Sequence, residues 1–323
     1  MKALIIGAGW FGSEIAQILD KIDDVDFDIV DMNNSFFSGS SSANQNRLHG
    51  GGWHYCRSFE TREECRKGYD IFMDKYPSFT ETVKSYYLVA NKSVLDFKTY
   101  MSIFIHEKVP FEMKTLEDLK NDGIYIEKGF VNGNNVIVVN ERWINFEKAR
   151  DYFTDKFYKK MLHFDHSQLS ISHDCNDITY LKKGYDIVFD ATYGKLIHRE
   201  SSEYEVCITL LYKKKVVTDD PPVTLTVVDG NFYSLYSYKP NENLFTLTSV
   251  RLTPIFVSKC SKLTQEFIKN ITPIDIERHK SLIEHDVSKS FINLLTDYSY
   301  HSYFLSTKTK FTNTGFSDRH TRV

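Results

Sequence analysis

The sequence predicts an α/β protein of two domains, in which one α/β domain is interrupted by a second domain built on a mixed β-sheet. Residues 1–75 and 131–200 show the pattern of buried strands and amphipathic helices. Residues 201–265 instead carry β-type residues in alternation, as in 223–228 and 244–250. We therefore assign the first domain to residues 1–75, 131–200 and 296–323, and the second to 76–130 and 201–295.

The composition is that of an ordinary globular chain. Its 323 residues are enough for two domains, and 41% are hydrophobic and 26% charged. A net charge of −3 gives no general attraction to nucleic acid or to an anionic membrane. No apolar run reaches the ~18 residues that a membrane span needs. The 5 cysteines form no CxxC pair, which predicts reduced thiols and a cytoplasmic protein.

The N-terminal residues predict a dinucleotide-binding unit of the Rossmann type. A short apolar strand leads directly into GAGWFG at 7–12, and a helical pattern then precedes a second strand that ends at Asp31. The first glycine of this GxGxxG pattern permits a tight turn, the second lets the backbone approach a pyrophosphate, and the third lets helix and strand pack closely. The helix N-terminus would hold the phosphates and Asp31 the adenosine ribose. FAD and NAD share this motif.

The segment SSSANQNRLHGGGWHY, residues 40–55, favours FAD over NAD. An NAD-binding domain usually continues with another helix and strand after the acidic residue. Here a serine-rich turn, a stretch of helical character at 43–48 and three glycines follow instead. His49 and His54 lie five residues apart, a spacing that does not suit two ligands on one helix face, so we expect no metal site.

These stretches resemble the D-amino-acid-oxidase-like superfamily of FAD-dependent oxidoreductases, which includes D-amino-acid, glycine and sarcosine oxidases. The resemblance is most specific in residues 1–55 and in YDIVFDATYG at 185–194, which is similar to the late strand of the family's FAD domain. NERWINFEKAR at 140–150 resembles the loop before its central helix, and residues 223–236 resemble its substrate-domain sheet. The resemblance implies a Rossmann-like FAD domain interrupted by a substrate domain, as in the glutathione-reductase-type architecture.

The resemblance also implies which residues contact FAD. They come from the glycine-rich turn, the end of the second strand, the segment after it, the late strand and the C-terminus. The candidates are Gly7, Ala8, Gly9, Trp10, Phe11, Gly12, Asp31, Met32, Asn33, Ser41, Asn44, Arg47, Leu48, His49, Ala191, Thr192, Gly194, Asp318 and Arg319. Arg319, beside Asp318 and near Lys308 and Lys310, could supply positive charge near the flavin, or the segment could form a solvated basic tail.

Two features depart from the family pattern. The second strand ends in Asp31 where the family more often has Glu, and the shorter carboxylate changes the expected adenosine geometry. The family also has a glycine-rich segment near its C-terminus that closes over the flavin. The present sequence stops at residues 312–323, where that segment should begin. The C-terminal contacts of the flavin are therefore left open.

The implied reaction removes a hydride from a carbon that bears an amine and gives an imine, and the electrons pass on to oxygen or another acceptor. The catalytic candidates are His49, Arg251 and Tyr236. His49 could contact the flavin, be attached to it covalently or simply pack. Arg251, in TLTSVRLTP at 246–254, could clamp a substrate carboxylate or face outward from a strand.

Several aromatic residues could line a substrate pocket. Tyr233, Tyr236 and Tyr238 alternate along one predicted strand, and we expect them to share a face as pocket lining or as a half-buried aromatic surface. His54 and Tyr55 are further candidates for the substrate cavity.

Two other functions stay open at this point. An NAD(P)-dependent dehydrogenase would account for the glycines and Asp31 but not for residues 40–55 or 185–194. A flavoprotein with a non-oxidative role, such as isomerisation or service as a binding subunit, would also fit. In each case we expect a small-molecule substrate, an amine or amino acid that could be carried on a larger molecule, and no nucleic-acid or membrane partner.

Overall fold

A computed structural model describes residues 1–50, 59–163, 184–196, 202–216, 222–228, 230 and 232–311, without the side chains of 132–135 and 311. Four of the predicted site residues, His54, Tyr55, Asp318 and Arg319, lie outside the described residues. Within the described ranges, no helix is both long and apolar enough to cross a membrane.

The bounds of the strands and helices locate every feature discussed below. The strands are β1 (Lys2–Ile6), β2 (Asp26–Val30), β3 (Arg47–Leu48), β4 (Thr80–Ala90), β5 (Glu112–Lys114), β6 (Val131–Ile144), β7 (Ile187–Asp190), β8 (Ser202–Lys214), β9 (Val223–Val228), β10 (Tyr233–Lys239), β11 (Leu244–Ser249), β12 (Pro254–Ser258) and β13 (Tyr298–Phe311). The helices are α1 (Trp10–Leu19), α2 (Phe59–Lys75), α3 (Phe97–His106), α4 (Leu116–Asn121), α5 (Phe146–Phe157), α6 (Ser261–Asn270), α7 (Pro273–Ser288) and α8 (Leu294–Asp297).

A small parallel sheet has the strand order β2-β1-β7. Its central strand is apolar over its whole inner length, and Ile5 lies level with Ile29 on one side and Phe189 on the other. Ala16 of α1 and Phe153 of α5 pack against this sheet in one buried cluster. The continuous apolar run of β1 is thus explained by burial on both faces, as is usual for parallel strands.

A larger mixed sheet has the order β12-β8-β11-β10-β9-β4-β6-β3, and β13 and β5 pair with β8 and β6. Strands β4 and β9 run parallel and the other pairs antiparallel. One face carries Leu225, Leu235 and Leu247, which join Ile283 and Val287 of α7 in the largest buried cluster. A parallel α/β sheet beside a mixed sheet is the predicted fold class, which is confirmed.

Three segments that we assigned to the first domain, β3, β6 and β13, lie in the large sheet. β6 pairs antiparallel with β4, with Thr80 level with Ile144 at one end of the ladder. β13 pairs with β8 along its length, from Tyr298 beside Lys214 to Phe311 beside Ser202. Both pairings join strands that are distant in sequence or separated by helices, so local patterning did not reveal them. The domain boundaries stay a prediction.

Backbone contact at two glycines holds β1, α1 and β7 together. Gly7 has φ +104°, and a Cβ on it would lie 2.6 Å from the carbonyl oxygen of Ala191. A Cβ on Gly12 would lie 1.8 Å from the carbonyl oxygen of Gly7. Neither position accepts a side chain without a backbone shift, since Gly7 also has a φ that L-residues rarely adopt.

We expect Gly12→Ala to lower the free energy of unfolding by about 2–3 kcal/mol, because the new methyl group must displace the turn that precedes α1. Urea unfolding followed by circular dichroism measures the change. Gly68→Ala is the matched control: it lies on α2 with nothing within 4 Å of its Cβ position, so it should be neutral or stabilise by up to ~1 kcal/mol. Equal effects of the two substitutions would contradict the packing argument.

Candidate functional site

A cavity of about 770 Å³ lies between the two sheets. It connects the turn after β1 and the ends of β2 and β7 with residues of β8, β11, β12 and α6 on the other side. Thirteen of the predicted cofactor contacts line it: Gly7, Gly9, Trp10, Phe11, Asp31, Met32, Asn33, Ser41, Asn44, Arg47, His49, Ala191 and Thr192. Four others, Ala8, Gly12, Leu48 and Gly194, are neighbours of lining residues and do not line the cavity themselves.

The N-terminus of α1 faces this cavity. Gly9 caps the helix, and the backbone N–H of Trp10 donates to Ser41 Oγ over 3.1 Å. A Cβ on Gly9 would lie 2.6 Å from the same Oγ, so the missing side chain is what lets the serine-rich turn approach the helix. The first turn carries no acidic residue. Its N–H groups and dipole therefore favour a bound anion.

Asp31 sits at the end of β2 with a fixed orientation. One carboxylate oxygen accepts the backbone N–H of Ala8 and the other that of Asn33, both over 2.9 Å. A carboxylate has about four lone-pair sites. Asp31 can therefore hold these contacts and still accept hydrogen bonds from hydroxyl groups of a ligand in the cavity.

The predicted helical stretch at 43–48 is wrong. Asn44 donates its amide to the carbonyl oxygen of Ser40 over 2.7 Å and accepts the N–H of Asn46 over 2.6 Å, while Asn46 has φ 52°. Such side-chain bonds to nearby backbone groups compete with helix formation. Arg47 and Leu48 instead form β3, which pairs with β6 at the edge of the large sheet.

Hydroxyl groups of the large sheet hold this segment in place. Gln45 donates its amide to Thr246 Oγ1 over 3.2 Å, and Arg47 Nη2 donates to Thr226 Oγ1 over 2.8 Å and to Ser234 Oγ over 3.1 Å. The three hydroxyls belong to β11, β9 and β10. Leu225, Leu235 and Leu247 alternate with them and face the opposite side. The large sheet therefore has one apolar face and one hydroxyl-rich face.

Arg47 is the centre of a buried charged network. Its guanidinium lies 4.0 Å from the ring centre of Tyr236, and its Nε is 3.7 Å from Glu141 Oε2. Tyr87 donates its hydroxyl to the other Glu141 oxygen over 2.6 Å. The Glu141 side chain is 0% exposed and that of Arg47 6%, so the ion pair offsets the desolvation of both charges.

The three candidate tyrosines do not share a face, which corrects our expectation. Tyr233 bonds Ser290 on the apolar side over 2.9 Å, because it differs from Tyr236 and Tyr238 by an odd number of residues. Tyr236 is fully buried under Arg47, and burial raises its pKa well above the ordinary tyrosine value. It does not line the cavity. Tyr238 stacks on Phe146 with ring centres 5.5 Å apart.

Arg251 also lies elsewhere than expected. β11 ends at Ser249, and Arg251 follows in a turn where its side chain is 55% exposed. Its guanidinium donates to Asp286 Oδ1 over 2.8 Å. The residue is not among those that line the cavity, because the chain has already turned out of the sheet. Of the three catalytic candidates, His49 alone lines the cavity.

Several lining residues were missed by sequence reasoning. Lys195 follows the predicted ATYG segment directly, and Thr209, Thr248 and Gln265 contribute polar groups from β8, β11 and α6. Burial lowers the pKa of Lys195, and the carboxylate of Asp31 opposes that effect. The alternation of hydroxyl and apolar residues in β11 is the sequence pattern that could have identified Thr248.

In the part of the chain that the structure describes, no group of three metal-ligating side chains occurs.

No family model matches this sequence. A search of curated proteins finds the FAD-dependent monooxygenase FPY4 of Fusarium mangiferae, 29% identical over 326 residues that cover 99% of this chain and 82% of the relative. This similarity extends over both sheets of the present structure.

Solved structures share the fold at low sequence identity. Glycine oxidase from Geobacillus kaustophilus superposes with a TM-score of 0.63 at 10% identity, covering 96% of this chain and 82% of the other. NikD, an amino acid oxidase essential for nikkomycin biosynthesis, has a TM-score of 0.63 at 9% identity with the same coverage. Iminodiacetate oxidase from Chelativorans has 0.59 at 9% identity, covering 94% and 82%. The chain has the two-domain fold of the D-amino-acid-oxidase-like oxidoreductases, as its sequence predicts.

We expect Glu141→Gln to lower the free energy of unfolding by about 3 kcal/mol, because it removes the buried carboxylate that faces the Arg47 guanidinium. Glu63→Gln is the control. It removes the same charge from an exposed pair with Lys67, at 3.6 Å, and should cost less than about 1 kcal/mol. Urea unfolding of both variants measures the difference, and an effect of Glu141→Gln no larger than that of Glu63→Gln would show that the buried pair is dispensable.

Proposed function

We propose that this chain, which has the fold of the D-amino-acid-oxidase-like oxidoreductases, is an FAD-dependent oxidoreductase that holds FAD in the cavity between its two sheets. The observation that carries the proposal is the continuity of that cavity. It joins Asp31 and the glycine-rich turn, which suit an adenine dinucleotide, to the hydroxyl-rich face of the large sheet. A cofactor bound at the turn can therefore reach a substrate held against the sheet.

The residues of the cavity fit FAD. Gly7 allows the tight turn after β1, and Gly9 caps the helix N-terminus, where the pyrophosphate would lie. Asp31 keeps lone pairs for the adenosine ribose. A volume of about 770 Å³ falls within the range of small-molecule sites. When bound, FAD would supply the capacity to accept a hydride, and the protein supplies orientation and electrostatics.

The substrate class that we propose is an amine or amino acid oxidised at its C–N bond. The substrate gives up a hydride from carbon while the nitrogen lone pair forms the C=N bond of an iminium ion, which becomes an imine when its N–H proton is lost to water. Thr209, Thr248 and Gln265 offer neutral hydrogen-bonding groups to orient it. His49 lines the same cavity and is our candidate for contact with the reacting centre. The solved amine and amino-acid oxidases that share the fold support this choice.

A second candidate is oxygenation of the substrate. It rests on the curated relative, which is named a monooxygenase and covers almost the whole chain. The two reactions differ in the fate of oxygen. An oxidase reduces oxygen to hydrogen peroxide, whereas a monooxygenase transfers one oxygen atom of O₂ to its substrate. Turnover under ¹⁸O₂ therefore separates the two candidates, because ¹⁸O stays in the organic product only after oxygenation.

The first measurement is the visible spectrum of the purified protein before and after denaturation. We expect two flavin bands and release of yellow cofactor on denaturation, whereas colour retained by the denatured chain would indicate a covalent bond, with His49 the candidate anchor. A colourless protein that FAD cannot reconstitute, but that binds NAD(P), would overturn the proposal in favour of a nicotinamide dehydrogenase.

The second measurement mixes the flavin-loaded protein with amines and amino acids under anaerobic conditions. Bleaching of the flavin absorbance identifies a substrate. If no compound bleaches the flavin, the result favours a non-oxidative role.

We expect Asp31→Ala to weaken FAD binding by roughly 10–100-fold, because the variant loses hydrogen bonds between a charged carboxylate and ribose hydroxyls. Quenching of flavin fluorescence during titration of apoprotein measures the affinity. Asp23→Ala removes the same charge from an exposed turn and should leave the affinity unchanged. Equal affinities in the two variants would place the adenosine outside the reach of Asp31.

A further inference from the structure

Lys195 carries a positive charge into the cavity from the turn after β7. The turn runs from Asp190 to Leu196 and passes directly above the end of β1, where Ala191 donates its N–H to Ile6 over 2.8 Å. Lys195 lines the same cavity as Asp31 and the N-terminus of α1. All three features therefore border the space that a ligand in this cavity would occupy.

The turn that presents Lys195 is held by its own side chains. Thr192 donates its N–H and its hydroxyl to Asp190 Oδ1, over 2.9 and 2.6 Å. Thr192 Oγ1 in turn accepts the backbone N–H groups of Lys195 and Leu196, each over 3.2 Å. The backbone of Lys195 is thus fixed before any ligand arrives, which lowers the entropic cost of binding.

The ammonium group of Lys195 lies near a carboxylate without pairing to it. Asp31 raises the pKa of Lys195, but burial has the larger effect and lowers it. Among the described residues, no hydrogen bond or ion pair of this ammonium is formed. The Lys195 side chain is half-buried, and an anion stabilises a cation that has lost part of its hydration. The arrangement therefore favours a ligand that brings negative charge to Lys195.

We propose that Lys195 binds the diphosphate of an adenine dinucleotide, together with the N–H groups at the start of α1. The ligand chemistry follows from the order of the groups around the cavity. Asp31 is an acceptor for hydroxyls, whereas Lys195 and the helix N-terminus attract anions. An adenosine diphosphate moiety carries ribose hydroxyls and phosphates at adjacent positions, so it satisfies both. The inference rests on the dinucleotide site of the proposed function but not on the flavin.

The experiment compares ADP and adenosine as probes of the full-length protein freed of cofactor. Isothermal titration gives the affinity of each for the wild type and for Lys195→Met, Lys195→Gln and Lys195→Arg. We expect the two neutral variants to bind ADP at least about 10-fold more weakly, with adenosine binding changed by less than about 3-fold. Lys195→Arg should recover most of the ADP affinity because it restores the charge.

Lys21→Met is the matched control. Lys21 is an exposed lysine just beyond α1, and its replacement changes the net charge equally without touching the cavity. Its ADP affinity should equal that of the wild type. Thermal melting of every variant verifies folding, and Lys195→Gln, which keeps a polar end, serves if Lys195→Met does not fold. Neutral variants with wild-type ADP affinity would overturn the inference.

The other outcomes are equally decisive. If adenosine binding falls as much as ADP binding, Lys195 acts on the nucleoside and the diphosphate assignment is wrong. If the wild type binds ADP but not FAD, and only the Lys195 variants lose ADP, the proposed function fails while the role of Lys195 stands. If the wild type binds neither ADP nor FAD, both are overturned.

Discussion

Close backbone contact between β1, α1 and β7 is the constraint on which the rest of the structure depends. The carbonyl of Gly7 leaves no room for a side chain at Gly12, and Ala191 leaves none at Gly7. Because the three elements meet without intervening side chains, the N–H groups of α1, the carboxylate of Asp31 and the turn that bears Lys195 are brought to one end of a single cavity. A methyl group at either glycine would separate them.

The opposite wall of the cavity depends on a sheet with two unlike faces. Leucines of β9, β10 and β11 bury against α7, while hydroxyls that alternate with them hold Gln45 and Arg47. The segment after β2 therefore binds the large sheet through hydrogen bonds and approaches the helix N-terminus through Ser41. It connects the part of the cavity at the glycine-rich turn with the part at the large sheet, which is the arrangement that our proposed function uses.

Arg47 and Lys195, two positively charged residues that line the cavity, have different surroundings. Arg47 is buried against Glu141 and Tyr236, where a carboxylate and a ring face compensate its charge. Lys195 lies at the other end, where the carboxylate of Asp31 acts on it without forming an ion pair. A buried pair contributes mainly to a defined conformation, whereas an uncompensated cation is a feature of binding sites. These two cations therefore differ in their surroundings: Arg47 is paired with a buried carboxylate, and Lys195 is not.

The local order of residues determined the nucleotide end of this protein. Strand, GAGWFG, helix, strand and Asp31 are contiguous, and both their structure and their relation to a dinucleotide follow from short-range geometry. The alternation of hydroxyl-bearing and apolar residues in β9 to β11 likewise indicated a sheet. The positions of Thr226 and Thr246 in this alternation indicated that one face of the sheet would be polar.

Tertiary structure alone decided what those elements enclose. The pairing of β6 with β4 and of β13 with β8 joins segments that local patterning assigned elsewhere, because strand partners are chosen by burial across the whole chain. The same long-range packing buried Tyr236 beneath Arg47, left Arg251 in an exposed turn and brought Lys195 opposite Asp31. The sequence determines the chemical groups of a side chain. Its hydrogen-bond and ion-pair partners depend on which distant strands and helices pack against it.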